Sequence, residues 1–380
     1  MPRRRLLTIS HSYVVALNRR LAAELARKGA PDWEVTALAP ERFRGDLRFI
    51  ELERRPGEPN VLRGIPAHGS VSPHMFFYGA SLARTLRDGW DCVHMWEEPY
   101  VVAGMQVATL LPRRTPLVFV TYQNIRKRYP APFRYFEQFV VRRSSGWIAG
   151  GQTIAQALGP SGAYRERPST TIPLGVDVGV FRPDASMRRE AFRRLGWDES
   201  GAPVVGYLGR LVPEKGIQLM LSVLEKTPAP WRALVVGGGP LDKELRAWAT
   251  RHGDRVRVVP AVVHDEVPLY LNAMDVLCAP SRTTPQWREQ LGRMIIEAFA
   301  CGVPVVGSDS GEIPFTIGDA GLVVPENDEA KWSGALSSLL DSPARRSELA
   351  ARGRHRAENH FAWPVVAEKT LHFIAASVGA

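Results

Sequence analysis

Val204-Val-Gly-Tyr-Leu-Gly-Arg-Leu-Val-Pro-Glu-Lys-Gly216 reads as a strand, a glycine turn and the entry to a helix. Val204–Leu208 has the length and the β-branched, aromatic make-up of a strand. Ile217–Lys226, directly after it, carries its apolar residues at helical spacing. The turn presents Arg210 and Lys215 beyond the strand end, beside a helix N-terminus. Two cations and the free N–H groups of a helix start suit a phosphate. Two solvated charges in a βα loop are the alternative reading.

The same unit recurs on both sides. Downstream, strands are expected at Ala233–Val236, Val256–Val259, Val276–Ala279 and Val303–Gly307. Helices are expected at Leu241–Arg251, Pro268–Ala273 and Arg293–Ala300. Upstream, strands fall at Leu6–Ser10, Glu34–Ala39, Asp91–Met95, Leu117–Thr121 and Gly146–Ala149. Helices fall at Tyr13–Lys28, His74–Arg87, Tyr100–Leu111, Phe133–Arg143 and Thr153–Leu158, with irregular strands and loop over Arg44–His68. Alternating β and α elements mean parallel sheets. The fold expected is α/β, with two Rossmann-like doubly wound domains facing across a cleft. Residues 1–180 form the first and 181–361 the second, and the amphipathic tail 362–380 packs back on the first. Ligands of such sheets bind beyond the carboxyl ends of the strands.

The chain has 380 residues, enough for two ordinary domains. No apolar run approaches the roughly 20 residues that span a bilayer. The basic start is followed by too short an apolar stretch for a signal peptide and reads as the first strand. Cys92, Cys278 and Cys301 are too far apart for a disulfide framework or a metal cluster, and fit a reducing cytoplasm. Residues 1–185 carry 26 Lys+Arg against 16 Asp+Glu, whereas 186–380 carry 23 of each. A basic first half suits an anionic or membrane-associated partner at the inner face of a membrane. Arginine far outnumbers lysine, so genome composition is the competing explanation.

Glu289 and Glu297 stand with seven residues between them, the second inside the apolar run Met294-Ile-Ile-Glu-Ala-Phe-Ala. A buried carboxylate is costly. With a helix starting near Leu291, Glu289 lies at its mouth and Glu297 two turns in. Carboxylates accept hydrogen bonds from hydroxyls, so with Arg210 and Lys215 the pair describes a sugar nucleotide. Two solvated acids on an amphipathic helix are the other reading. A second turn, Val236-Gly-Gly-Gly-Pro240, allows close approach of a ligand to the backbone. No Asp-x-Asp motif is present, so no metal is expected on the diphosphate and no cofactor is called for.

With these residues in view, the chain resembles the retaining glycosyltransferases of family 4, which have the GT-B fold. The matching pieces are Gly209-Arg-Leu-Val-Pro-Glu-Lys-Gly216, Val236-Gly-Gly-Gly-Pro240, Pro280-Ser281, the two glutamates, Cys301-Gly-Val-Pro-Val-Val-Gly-Ser-Asp-Ser-Gly-Glu-Ile-Pro314 and Gly321-Leu-Val-Val-Pro325. Pro173-Leu-Gly-Val-Asp-Val-Gly-Val-Phe181 matches the family's signature near the domain junction. The resemblance implies that Arg210 and Lys215 hold the donor diphosphate, with Gly209 and Gly238 in the turns around it. It implies Glu297 on the ribose, Glu289 on the donor sugar with backbone N–H groups near Leu291 and Gly292, and the base near Ala261–Val263. Glu289, Lys215 and Arg210 are then the catalytic candidates. The implied reaction moves a sugar, with retention and without metal, to a hydroxyl of a glycan, glycolipid or small molecule.

The first domain departs from the family pattern twice. Ser10-His-Ser-Tyr13 replaces a glycine pair, and Thr121-Tyr-Gln-Asn124 places Gln123 where the family has a histidine. On that acceptor side the candidates are His11, Gln123, Glu97 and Arg126. His94 reads either as a further site residue or as a structural hydrogen bond. Two other functions stay open: a sugar-nucleotide epimerase or hydrolase on the same plan, and a non-catalytic nucleotide-sugar binder.

Overall fold

A computed structural model describes residues 2–44, 49–72 and 74–379. Two compact units emerge, Met1–Pro173 with Trp363–Ala380, and Leu174–Ala362. The division falls after residue 173 rather than 180. Val176 accounts for the difference: its N–H donates to the Phe361 carbonyl at 2.7 Å, and it bridges to Ala362, tying this strip to the second unit.

The first unit is built on β1 (Arg4–Ile9), β2 (Trp33–Pro40), β3 (Val61–Ile65), β4 (Cys92–Met95), β5 (Leu117–Thr121), β6 (Gly146–Ala149) and β7 (Ser169–Thr171). They form one sheet in the order β7-β6-β5-β4-β1-β2-β3, with every pairing parallel. The side-chain alternation of a strand divides its core. Leu7 and Ile9 pack with Val93, Leu117 and Phe119 on one face. Leu6 packs with Leu21, Val35, Cys92 and Val118 on the other, where Val366, Ala367 and Ile374 of the last helix, Trp363–Val378, complete the layer.

The long helix expected from Tyr13 is shorter. Residues His11–Val14 and Ala16–Arg19 form 3-10 turns, and the α-helix runs Arg20–Gly29. Polar contacts from distant segments compete with helical bonding here. The Ala16 N–H goes to Glu53 at 2.8 Å, and the buried Arg19 guanidinium takes the Tyr13 carbonyl and both oxygens of Glu58. The helix expected from His74 likewise begins only at Ser81, because Phe77–Tyr78 pairs with Ala67–His68 as a small antiparallel ladder. In the Arg44–His68 stretch, Arg42–Arg44 pairs with Phe49–Glu51, and residues 45–48 lie outside the described part.

The second unit carries β8 (Val204–Leu208), β9 (Arg232–Val236), β10 (Val256–Val259), β11 (Val276–Ala279), β12 (Val305–Ser308) and β13 (Leu322–Val324). Their order is β10-β9-β8-β11-β12-β13, again all parallel. The order reverses between β8 and β11, the switch point where ligands of doubly wound sheets bind. The central strands β8 and β11 are buried along their whole length, which is why they are continuous apolar runs. Among the described residues no helix is long and apolar enough to cross a membrane.

Candidate functional site

At the carboxyl ends of β8 and β9 lies a cavity of about 600 Å³. Gly209, Arg210, Lys215, Gly238 and Glu297 line it together, with Ala261 and Val262 as a further wall. Val263, expected on that wall, does not line it. Its side chain is 67% exposed, and the next residue, His264, turns inward instead.

The three glycines after β9 have different jobs. A Cβ on Gly237 would sit 1.9 Å from the Gly209 carbonyl oxygen, and one on Gly239 2.5 Å from that of Leu211. These two let the β9 turn press on the β8 turn, where Leu211 N–H donates to the Gly238 carbonyl at 2.9 Å. A Cβ on Gly238 would meet only Ala261, at 3.5 Å or more, so this is the glycine that opens onto the cavity.

Lys215 and Glu289 form a buried ion pair, Nζ to Oε2 2.6 Å, with side chains 12% and 7% exposed. The same oxygen accepts from Ser281 Oγ at 2.9 Å, and Oε1 accepts from the backbone N–H of Gln290 and Gly292. Burial pushes the Glu289 carboxyl up, but the Lys215 charge and these hydrogen bonds more than offset it and hold the group below its ordinary value. The Gly292 N–H, expected to face a ligand, is therefore committed to Glu289. Leu291 is fixed by Thr316 Oγ1 on its carbonyl at 3.2 Å. Gly311 packs on the Glu289 backbone, and Glu312 N–H donates to the Glu289 carbonyl at 3.0 Å, so the 309–312 loop sets the height of this residue.

Glu297 lies in the helix Arg293–Ala300 and is 6% exposed. Its Oε1 meets His264 Nε2 and Arg293 Nε, each at 2.8 Å. His264 is in turn packed on Phe181, ring centroids 5.2 Å apart. Glu297 Oε2 has no hydrogen-bond partner among the described residues. The Arg210 guanidinium, which lines the cavity, is not paired with any acid among the described residues. Arg293 was visible in principle as the fourth residue before Glu297; His264 was not, since 33 residues separate it from its partner.

In the first unit His11 and Glu97 come together, Nδ1 to Oε2 2.6 Å. Burial lowers the His11 pKa, yet the charge and hydrogen bond of Glu97 win and raise it above 6.5. Gln123 is buried and its Oε1 accepts from Tyr129 O–H at 3.0 Å. Its Nε2 has no hydrogen-bond partner among the described residues. Arg126 stands apart from these, lining another cavity with Lys127, Arg128 and Arg134. His94 is structural. Trp96 donates to its Nε2 at 3.1 Å, so Nδ1–H donates to Thr8 Oγ1 at 3.1 Å, and burial lowers its pKa to about 3.

Glu98 is a buried carboxylate with Thr121 Oγ1 at 2.6 Å and the Tyr122 N–H at 2.8 Å. Burial outweighs these two bonds and pushes it up to about 7. A carboxyl raised in the folded state stabilises fully below its unfolded value of 4.5 and loses that contribution as pH rises through about 7. The contribution at stake is on the order of 3 kcal/mol. The melting temperature of the wild type is therefore expected to fall relative to Glu98→Gln as the pH rises from 4.5 to about 7. Parallel melting curves of the two proteins across that range contradict the assignment.

Residues 202–342 match the family model described as glycosyl transferases group 1, and residues 14–180 that described as glycosyltransferase family 4. A D-inositol 3-phosphate glycosyltransferase of Rhodococcus erythropolis is 33% identical over 321 residues, 80% of this chain and 67% of that one. The chain belongs to glycosyltransferase family 4. A GDP-mannose-dependent monoacylated alpha-(1-6)-phosphatidylinositol monomannoside mannosyltransferase of Corynebacterium glutamicum is 35% identical over 211 residues, 53% of this chain. The match spans only 55% of that relative's own length. Anabaena HepE, solved with UDP and glucose, aligns with a TM-score of 0.72 at 18% identity, over 98% of this chain and 100% of that one. Sucrose-phosphate synthase of Thermosynechococcus elongatus gives 0.72 at 22%, over 98% and 99%. These likenesses establish the GT-B fold.

Proposed function

We propose that this family 4 member is a metal-independent, retaining transferase that moves a hexose from a nucleotide-diphospho-sugar to a hydroxyl. The observation that carries the reading is the cavity that collects Arg210, Lys215, Gly238 and Glu297, with Glu289 held 2.6 Å from the Lys215 ammonium. Arg210 and Lys215 bear the charge of the departing diphosphate, which takes the place of a metal. Glu297 Oε2 accepts from ribose hydroxyls, and Glu289 orients the sugar while setting the position of Lys215. The acceptor oxygen attacks the anomeric carbon on the face from which the diphosphate leaves. The bond from that carbon to the phosphate oxygen breaks, and the acceptor proton passes to the leaving oxygen. No histidine is needed for that proton, which accommodates Gln123.

GDP-mannose is the first donor to test, because several relatives are named for it, with UDP- and dTDP-sugars beside it. Those relatives are named for phosphatidylinositol monomannosides and others for D-inositol 3-phosphate, and both compounds head the acceptor panel. Thermal shift reports the nucleotide, since a ligand of the folded state raises its melting point. Glu297→Ala is expected to weaken nucleotide binding about ten- to a hundredfold, measured by calorimetry. Product mass and anomeric configuration, determined in excess EDTA, test the rest. Donor consumed without an acceptor product would indicate a hydrolase or epimerase, and an inverted anomer would rule out retention.

A further inference from the structure

Lys215 Nζ has a second neighbour besides Glu289. The half-buried Trp287 places its ring centroid 5.1 Å from the ammonium. A ring face attracts a cation within roughly 6 Å. The loop that carries this indole is anchored at several points. Arg282 N–H donates to the carbonyl of Glu214, the residue before Lys215, at 2.9 Å. Thr283 N–H donates to Glu326 Oε2 at 2.6 Å. Thr284-Pro-Gln-Trp287 then closes on itself: Thr284 N–H donates to the Trp287 carbonyl at 2.8 Å, and Trp287 N–H donates back to Thr284 Oγ1 at 3.0 Å. The loop is thus clamped onto the turn that presents the ammonium. Lys215 lines the cavity beyond β8 and β9, whereas Trp287 does not.

We propose that Trp287 is a positioning residue for the transfer: its indole face holds the Lys215 ammonium so that one N–H stays directed into the cavity, where the diphosphate binds. An ammonium has three donors and no acceptor. One donor is spent on Glu289 Oε2 at 2.6 Å. The indole covers a second direction and offers no lone pair that would tie the ammonium down as a second carboxylate would. The third donor is left for an anion. An aliphatic side chain of similar bulk fills the same space but does not attract the charge, so the ring face is what the position needs. That the anion is a diphosphate rests on the transferase reading above; the hold of the ring on the ammonium does not.

The test is NMR of the full chain carrying ¹³C-labelled lysine. The chain has seven lysines, and Lys215→Arg assigns the signal of interest by its disappearance. Protons held over a ring face resonate upfield, so the Lys215 ε-methylene protons are expected upfield of those of the other six. Trp287→Leu is expected to return them to the ordinary position, and Trp287→Phe to keep most of the displacement. Lys215 ε-methylene protons at the ordinary position in the wild type overturn the inference, whatever the variants do. Calorimetry with GDP and with UDP supplies the second measurement. For the nucleotide that the wild type binds, Trp287→Leu is expected to weaken affinity about tenfold and Trp287→Phe about threefold at most. Equal losses in the two variants mean that the indole only fills space, and overturn the inference as well. Matching melting curves show that both variants are folded. If neither nucleotide binds the wild type, the transferase reading fails, and the Lys215 signal decides this inference by itself.

Discussion

Lys215→Ala is expected to cut turnover by about a hundred- to a thousandfold, the largest kinetic effect of any single change in the second unit. Two losses coincide. The ammonium proposed to stabilise the leaving diphosphate disappears, and Glu289 is left buried without its counter-charge. Removing one partner of a buried pair costs about 3–5 kcal/mol, so stability falls as well, and the two effects must be separated. Glu289→Gln combined with Lys215→Ala removes the stranded charge. The double variant is expected to recover most of the lost melting temperature and none of the lost turnover. Single-turnover kinetics on Lys215→Ala and on the double variant check this. Full turnover in either variant would remove Lys215 from the chemistry.

Gly216→Ala is expected to be the most damaging one-carbon change to stability. The residue has φ +68°, and a Cβ would stand 1.8 Å from the Pro280 carbonyl oxygen. The left-handed backbone alone costs about 1–2 kcal/mol for a residue with a side chain. The contact then forces Pro280 to move, and with it Ser281, which bonds Glu289. A loss of about 2–4 kcal/mol lowers the melting point of a unit this size by roughly 5–15 °C. Calorimetry measures it, and Gly238→Ala serves as the contrast. There the added carbon meets open cavity, so the melting point holds and nucleotide affinity changes. Equal melting points for the two variants would contradict this division of the glycines.

Much of the second unit could be read from its residues. Val204–Leu208 and Val276–Ala279 are strands buried along their whole length, so apolar runs bounded by turn residues mark their ends. The helices Ile217–Lys226 and Arg293–Ala300 were legible for the corresponding reason, a period of about 3.6. The turn after β1 was not. Its backbone follows the demands of Glu53, Glu58 and Glu97, none of which lies within thirty residues of it. The candidate site shows the same limit. Arg210, Lys215, Glu289 and Glu297 could be picked out singly, but the direct bond from Lys215 to Glu289 spans 74 residues and leaves no local trace. Gly292 shows how that matters: its N–H serves a protein carboxylate, which spacing alone could not reveal.

The helix Trp363–Val378 belongs to the first unit and covers Leu6, Leu21, Leu25 and Trp33 there. During vectorial synthesis those side chains leave the ribosome more than three hundred residues before their cover does. The second unit, Leu174–Ala362, is contiguous and emerges whole in the interval. The domain made first is thus the one finished last, and throughout that wait it carries an uncovered apolar face. A chain cut before Trp363 is expected to keep that face uncovered and to aggregate through its first domain.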